Sequence, residues 1–213
     1  MTSPITAPAT PTRAANQNRK LTRPSQEEAK EAVRTLLRWA GDDPSLEGIV
    51  DTPQRVIDAY REFYAGYDED PDAILAKTFE EVAGYDEVVL LKNLAFESHC
   101  EHHMVPIIGR AHIAYLPDRK VVGISKIARL LDVFAKRLQT QEIMTSQIAD
   151  TIERVLKPRG VAVVIDAVHE CMSTRGVHKA GSTTVTTQMR GLYKTDAAAR
   201  AELMRLITSS DIG

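Results

Sequence analysis

Two short clusters about seventy positions apart, Ser98-His99-Cys100-Glu101-His102-His103 and His169-Glu170-Cys171, hold both cysteines and four of the six histidines of the chain. Cys100 and His103 stand in a C-x-x-H spacing, close enough for a tight turn or strand end to aim both side chains at one metal ion. Zinc readily accepts such a thiolate and imidazole pair. Cys171 closes the run Val161 to Cys171, whose β-branched and apolar residues predict a buried strand. With period two, His169 and Cys171 would share one face of that strand. One ion held by Cys100, His103 and Cys171 would tie the two clusters together, and the rest of the chain has to be read around that junction.

Such a Cys2His set supplies three ligands, with no obvious fourth in the sequence. A structural zinc site is closed by four protein ligands, whereas a catalytic one keeps a position open to water. Two thiolates cancel the formal charge of a divalent metal, so helpers for proton transfer are expected nearby. His102 beside one ligand and His169 two residues from another are placed for that task. The alternatives are inert core cysteines or a disulfide. No secretory signal or membrane-spanning run is visible, and a cytosolic chain rarely keeps disulfides. A cytoplasmic location is therefore expected.

The 213 residues, 43% hydrophobic with a formal net charge of -2, predict a soluble globular chain with no feature of a nucleic-acid or membrane binder. Residues 1–24, with Pro4, Pro8, Pro11 and Pro24, lack the large apolar residues to bury a core and are expected to be a disordered tail. Residues 25–213 are read as one domain: a helical part over 25–80, a core over 86–191 and a C-terminal helix over 196–208.

Ser25 followed by Glu27 and Glu28 predicts a helix start, with Val33, Leu36 and Leu37 on the apolar stripe. Asp51-Thr52-Pro53 caps a second helix, whose buried face would be Val56, Ile57, Tyr60, Phe63 and Tyr64. Arg55 in its first turn is either an ordinary exposed arginine or a cation awaiting an anion. A short helix follows on which Ile74, Leu75 and Phe79 face inward. Strands are expected over 86–96 and 104–116, the second interrupted by Gly109, with His112 in a structural or surface role rather than as a ligand. Ser125 would cap a helix from Lys126 to about Gln139. Lys126 and Arg129 in its first turn suit a bound phosphate, or are simply exposed. A polar break at 139–142 precedes a helix over about 145–157. Glu142 in that break could accept the paired N–H donors of a guanine edge, or merely solvate a surface. The strand ending at Cys171, a Thr-rich strand over 182–189 and a last helix complete an α+β chain with an antiparallel sheet.

The stretches Ser98 to His103, Gly123-Ile124-Ser125-Lys126, Arg137 to Glu142, His169-Glu170-Cys171 and Arg175-Gly176 resemble, in order, the signature of GTP cyclohydrolase I. The resemblance covers about Ser25 to Gly191. It implies the tunnelling fold: a four-stranded antiparallel sheet with two helices between strands two and three, closed into pentameric barrels that stack as a toroidal homodecamer. It further implies hydrolysis of GTP at C8, release of formate and formation of 7,8-dihydroneopterin triphosphate, the first step of tetrahydrofolate or related pterin synthesis. By the same resemblance Cys100, His103 and Cys171 match the zinc ligands, and His102 and His169 the acid–base histidines, with their proton transfers not apportioned. Glu142, with Gln141 beside it, matches the guanine contact. Ser125, Lys126, Arg129 and Arg175 match triphosphate contacts, and Arg55 matches one reaching in from an adjacent subunit. Three rivals remain: a zinc deaminase, whose H-x-E and P-C-x-x-C pattern is absent; a pterin or deazaguanine enzyme of the same fold; and a zinc-stabilised, nucleotide-binding regulator.

Overall fold

The computed structural model describes residues 22–79 and 85–209, so nearly all of the expected tail lies outside the described residues. The chain forms two compact units, residues 1–58 and residues 59–213.

In the first unit, helix α1 (Gln26–Ala40) begins with a capping box, in which the Ser25 hydroxyl accepts from the Glu28 N–H and the Glu28 carboxylate accepts from the Ser25 N–H. It ends at Gly41, whose φ of 98° lets the chain turn back and donate to Arg38 and Leu37 carbonyls through Gly41 and Asp42. Its predicted stripe is not covered: no residue of α1 is buried, and Trp39 is 87% exposed. Helix α2 (Thr52–Phe63) starts in this unit. Pro53 is its one buried residue, and Tyr60 and Phe63 of the predicted inner face remain partly exposed.

The second unit continues with a 3-10 turn (Ala65–Asp68), α3 (Pro71–Ala76), β1 (Thr78–Phe79), β2 (Val89–Cys100), β3 (Pro106–Leu116), β4 (Val121–Val122), α4 (Ile124–Ala135), β5 (Leu138–Gln139), α5 (Gln141–Leu156), β6 (Gly160–His169), α6 (Glu170–Ser173), β7 (Thr184–Gly191), α7 (Leu192–Thr195) and α8 (Ala197–Thr208). The main sheet has the order β5-β2-β3-β6-β7. Its four long strands are antiparallel and carry α4 and α5 between β3 and β6; β5 joins parallel to β2 at one edge. The expected α+β architecture is present. Strand β5 and the two-residue β1–β4 ladder are additional, and pairs that short have no periodicity to read.

Strand β6 is apolar on both faces because both are covered at one end. Val161, Val163, Ile165 and Ala167 pack with Ile113 and Tyr115 beneath Ile127, Leu130, Phe134, Ile148 and Ile152 of α4 and α5. Ala162 and Val164 face the other way, against Tyr193, Leu203 and Ile207 of α7 and α8. The next outward position is Asp166, and it is exposed.

Four local expectations are corrected. Helix α4 starts at Ile124 with Gly123 as its cap, and Ser125 lies inside the first turn. The stretch read as a polar break is the start of α5, because the Thr140 hydroxyl accepts from the Ile143 N–H and caps it. Strand β6 stops at His169, so Cys171 rides on the single turn α6 and shares no strand face with His169. Phe79 belongs to β1 rather than to the preceding helix, and its side chain is outside the described residues.

Candidate metal centre

Strand β2 carries Cys100 at its end, and the chain reverses at once. The Cys100 N–H donates to the Val105 carbonyl at 2.9 Å and the Met104 N–H to the Cys100 carbonyl at 2.8 Å, with Met104 in the left-handed region at φ 56°. A further bond, from the Glu101 N–H to the Gln139 carbonyl at 3.0 Å, ties this turn to β5. Across the sheet, Ile107 of β3 is in register with His169 of β6, which sets α6 and Cys171 beside the turn.

Cys100, His103 and Cys171 thereby place their ligand atoms within 4.8 Å of one another. Cys100 Sγ and His103 Nδ1 are 3.6 Å apart. A tetrahedral ion with bonds of about 2.3 Å to sulfur and about 2.0–2.1 Å to nitrogen holds such a pair about 3.6 Å apart, so the donors fit a metal of zinc's size and preference. The group has three members among the described residues, which leaves a fourth coordination position without a protein donor. The Cys171 thiol is pushed up from its ordinary range, first by burial and then by Cys100 beside it. Two adjoining thiols resist a second negative charge, and a bound divalent cation reverses that preference.

Arg175, in the turn after α6, places Nη1 3.1 Å from His103 Nε2. Ligation through Nδ1 would leave the ring proton on Nε2, so Arg175 has to surrender this contact when a metal binds. His102 is exposed, with its ring 6.3 Å from that of His103. His169 is partly buried and its Nε2 lies 2.7 Å from Gln141 Oε1. Burial lowers its proton affinity and the nearby charge of Glu142 opposes that shift. Glu142 itself is exposed in the first turn of α5.

The remaining predicted residues stand elsewhere. Lys126 donates from Nζ to the Ile74 carbonyl at 3.1 Å. Arg129 lines a cavity of about 330 Å³ with Gly66, Glu69, Ile74, Asp132 and Lys136. Ser125 is exposed on the same helix. Arg55 belongs to the first unit, where it pairs with Asp51 at 3.4 Å. His99 is 7% exposed and packed by Phe63 and Tyr64, with ring centroids at 4.6 and 5.5 Å. His112 accepts from the Asn93 N–H at a strand irregularity, in keeping with a structural role.

Sequence reading missed Thr145 and Thr186, which hold Gln141. A signal was available: on β7, Val185 is 59% exposed while Thr184 and Thr186 face inward, an inverted pattern that asks for buried polar partners.

A family model described as GTP cyclohydrolase I matches residues 29–208. The chain is 60% identical over 184 residues to a GTP cyclohydrolase 1 of Brucella anthropi, covering 86% of each protein. It is 58% identical over 185 residues to a GTP cyclohydrolase 1 of Allorhizobium ampelinum, covering 87% of this chain and 92% of the relative. A GTP cyclohydrolase 1 of Sinorhizobium fredii is 60% identical over 185 residues, with coverage of 87% and 90%. The apo archaeosine synthase QueF-Like structure overlaps 49% of this chain and 93% of its own at 17% identity, with a TM-score of 0.41, a likeness too distant to carry an argument.

Proposed function

The chain belongs to the GTP cyclohydrolase I family, and from that membership we propose that it hydrolyses GTP at C8, releases formate and forms 7,8-dihydroneopterin triphosphate, the entry to tetrahydrofolate or related pterin synthesis. The observation that carries this reading is the Cys100, His103 and Cys171 group, three converging ligand atoms with one position left for a non-protein donor. A zinc ion held there would supply the Lewis acidity for attack of water on the ring carbon.

The chain's own residues have the complementary tasks. His169, with burial depressing its proton affinity, can hand a proton to the purine or its opened product. His102, exposed next to His103, is the second proton carrier. Glu142 at the start of α5 can accept both N–H donors of a guanine edge, which adenine cannot offer. Ser125, Lys126, Arg129 and Arg175 would hold the triphosphate, and binding energy gathered there positions C8 far away. Arg55 would act on a substrate held by a neighbouring copy.

That last role calls for an oligomer. Among the described residues β7 is one edge of the sheet and, apart from the short β5 pairing, β2 is the other. Edge-to-edge pairing between copies would close such sheets into a barrel, in keeping with the tunnelling fold, pentameric rings and a homodecamer. Among the described residues no helix is long and apolar enough to cross a membrane, and a cytoplasmic place is part of the proposal.

The decisive experiment follows formate and fluorescent pterin from GTP with metal-replete protein, chelator-stripped protein and a Cys171→Ala variant. Metal-dependent formate release that disappears in the variant is the expected result. Intact GTP alongside tightly held metal would make the centre structural and overturn the proposal.

A further inference from the structure

Gln141 is the first residue of α5 and is fully buried. Its amide nitrogen lies 3.1 Å from the Ile165 carbonyl, 2.8 Å from the Thr184 carbonyl and 3.1 Å from Thr186 Oγ1. Main-chain carbonyls only accept, so the end of the side chain facing them has to be the NH2 group. The threonines agree. Thr145 gives its hydroxyl proton to the Gln141 carbonyl at 2.6 Å, and in the 2.7 Å contact between the two hydroxyls the donor is then Thr186. That leaves a lone pair on Thr186 Oγ1 to accept from Gln141. Every direction in the network is fixed by carbonyl oxygens of β6, β7 and α5.

The consequence falls on His169. Gln141 Oε1 has no proton to give, so the 2.7 Å contact requires His169 Nε2 to be the donor. A neutral imidazole carries one proton, and the other ring nitrogen keeps its lone pair. Resting on the reading of His169 as an acid–base group, we propose that Gln141 is a positioning residue: anchored by Ile165, Thr184 and Thr186, it locks His169 in the Nε2–H tautomer and makes Nδ1 the atom that exchanges a proton with the substrate. Both amide hydrogens of Gln141 are engaged inside the protein, so its side chain has no N–H left to offer a guanine ring, and the bond from Oε1 to His169 is its link to the acid–base group.

The test uses metal-replete, full-length protein labelled with 13C and 15N in histidine. Solid-state spectra at pH 8 report each ring's tautomer whatever the size of the assembly, and His169→Asn identifies the His169 signals. The wild-type ring is expected as Nε2–H alone; an Nδ1–H ring would overturn the proposal without any variant. Gln141→Met keeps the length of the side chain and removes the acceptor. It should give a mixed tautomer population and a kcat for formate release lower by about 10- to 100-fold, with the KM for GTP changed by no more than about twofold. An unchanged tautomer in Gln141→Met, or a loss expressed chiefly in KM, would also overturn it. Thr186→Val, which leaves the two carbonyl anchors in place, should retain the Nε2–H ring. A wild-type protein that releases no formate yet shows the Nε2–H ring refutes the proposed reaction and leaves the lock standing, so the two failures are separable.

Discussion

Cys100 Sγ and His103 Nδ1 stand 3.6 Å apart on the turn that joins β2 to β3, at the spacing a tetrahedral ion imposes on a sulfur and a nitrogen ligand. Backbone hydrogen bonds hold that turn: it is closed by Cys100–Val105 and Met104–Cys100 bonds and moored to β5 through Glu101 and Gln139. The spacing of the pair is therefore set by the hairpin, and Cys171, on the single turn α6 that follows β6, brings a third candidate ligand atom within 4.8 Å.

Metal should accordingly stabilise a frame that already exists. At a free-metal level of about 100 times Kd, binding to the native state adds about 2.7 kcal/mol, or about 5–10 °C in Tm for a chain of this size. Calorimetry with and without chelator should show that shift, and Cys171→Ala should abolish it together with most of the bound zinc. A Tm indifferent to chelator in protein shown to carry zinc would mean that the ion is not held by these three residues.

Tyr64 makes a prediction about alkaline pH. Its hydroxyl is buried without a hydrogen-bond partner among the described residues, and burial pushes its pKa up to about 12. The folded value is raised, so the stability it contributes is fully present below the ordinary tyrosine pKa of about 10 and is lost as pH rises toward 12. Tyr64→Phe removes an unpaired polar atom and should be neutral at pH 7.5 or stabilising by up to about 1 kcal/mol. Between pH 10 and 11 its urea midpoint should fall less steeply than that of the wild type. Some slope will remain, because burial also raises Tyr115 and Tyr193. A marked loss at pH 7.5 would reveal a hydroxyl partner and refute the argument.

What was legible in the sequence tracks the physical scale of each signal. The ligand trio could be read because cysteine and histidine are scarce and their spacing is short. The long strands and the helices α1, α4 and α5 could be read from apolar periodicity, as Ile148 and Ile152 or Leu130 and Phe134 illustrate. The start of α5 was obscured because Thr140, Gln141 and Glu142 are polar, and a capped helix start resembles a loop until its hydrogen bonds are known. β-propensity carries the strand on to Cys171 because it says nothing of where a ladder stops; β6 ends at His169, and one helical turn swings the thiol toward Cys100. The role of Gln141 depends on carbonyls of residues 165 and 184, a meeting of three elements that no local pattern encodes.

Gly109 links register to the site. A Cβ built there would meet the Asp166 carbonyl oxygen at 2.3 Å and the Ala167 Cβ at 2.5 Å, contacts with a neighbouring strand that cannot swing aside. Strands β3 and β6 approach closely at this point, and the same ladder aligns Ile107 with His169 two positions on. Gly109→Ala should therefore cost about 3 kcal/mol in urea unfolding and weaken zinc binding as β6 shifts. A variant with wild-type stability would show that the sheet opens here without strain.

Arg137 supports the same region from the other edge. Its Nε donates to the Gly66 carbonyl at 2.9 Å and its Nη2 to the Glu69 carbonyl at 3.3 Å, while the guanidinium lies over Phe134 at 5.1 Å and Tyr67 at 5.8 Å. These contacts bind the 3-10 turn to the residue before β5, and β5 in turn holds Glu101 and leads into Gln141. Lysine keeps the charge but not the planar fork that reaches two carbonyls and stacks on a ring. Arg137→Lys is expected to lose about 1–2 kcal/mol and to lower formate release in parallel, because the metal turn and the start of α5 both loosen. Unfolding curves measured beside single-turnover formate release would check this. Full activity together with reduced stability would confine Arg137 to the packing of the 3-10 turn and separate it from the geometry of the metal centre.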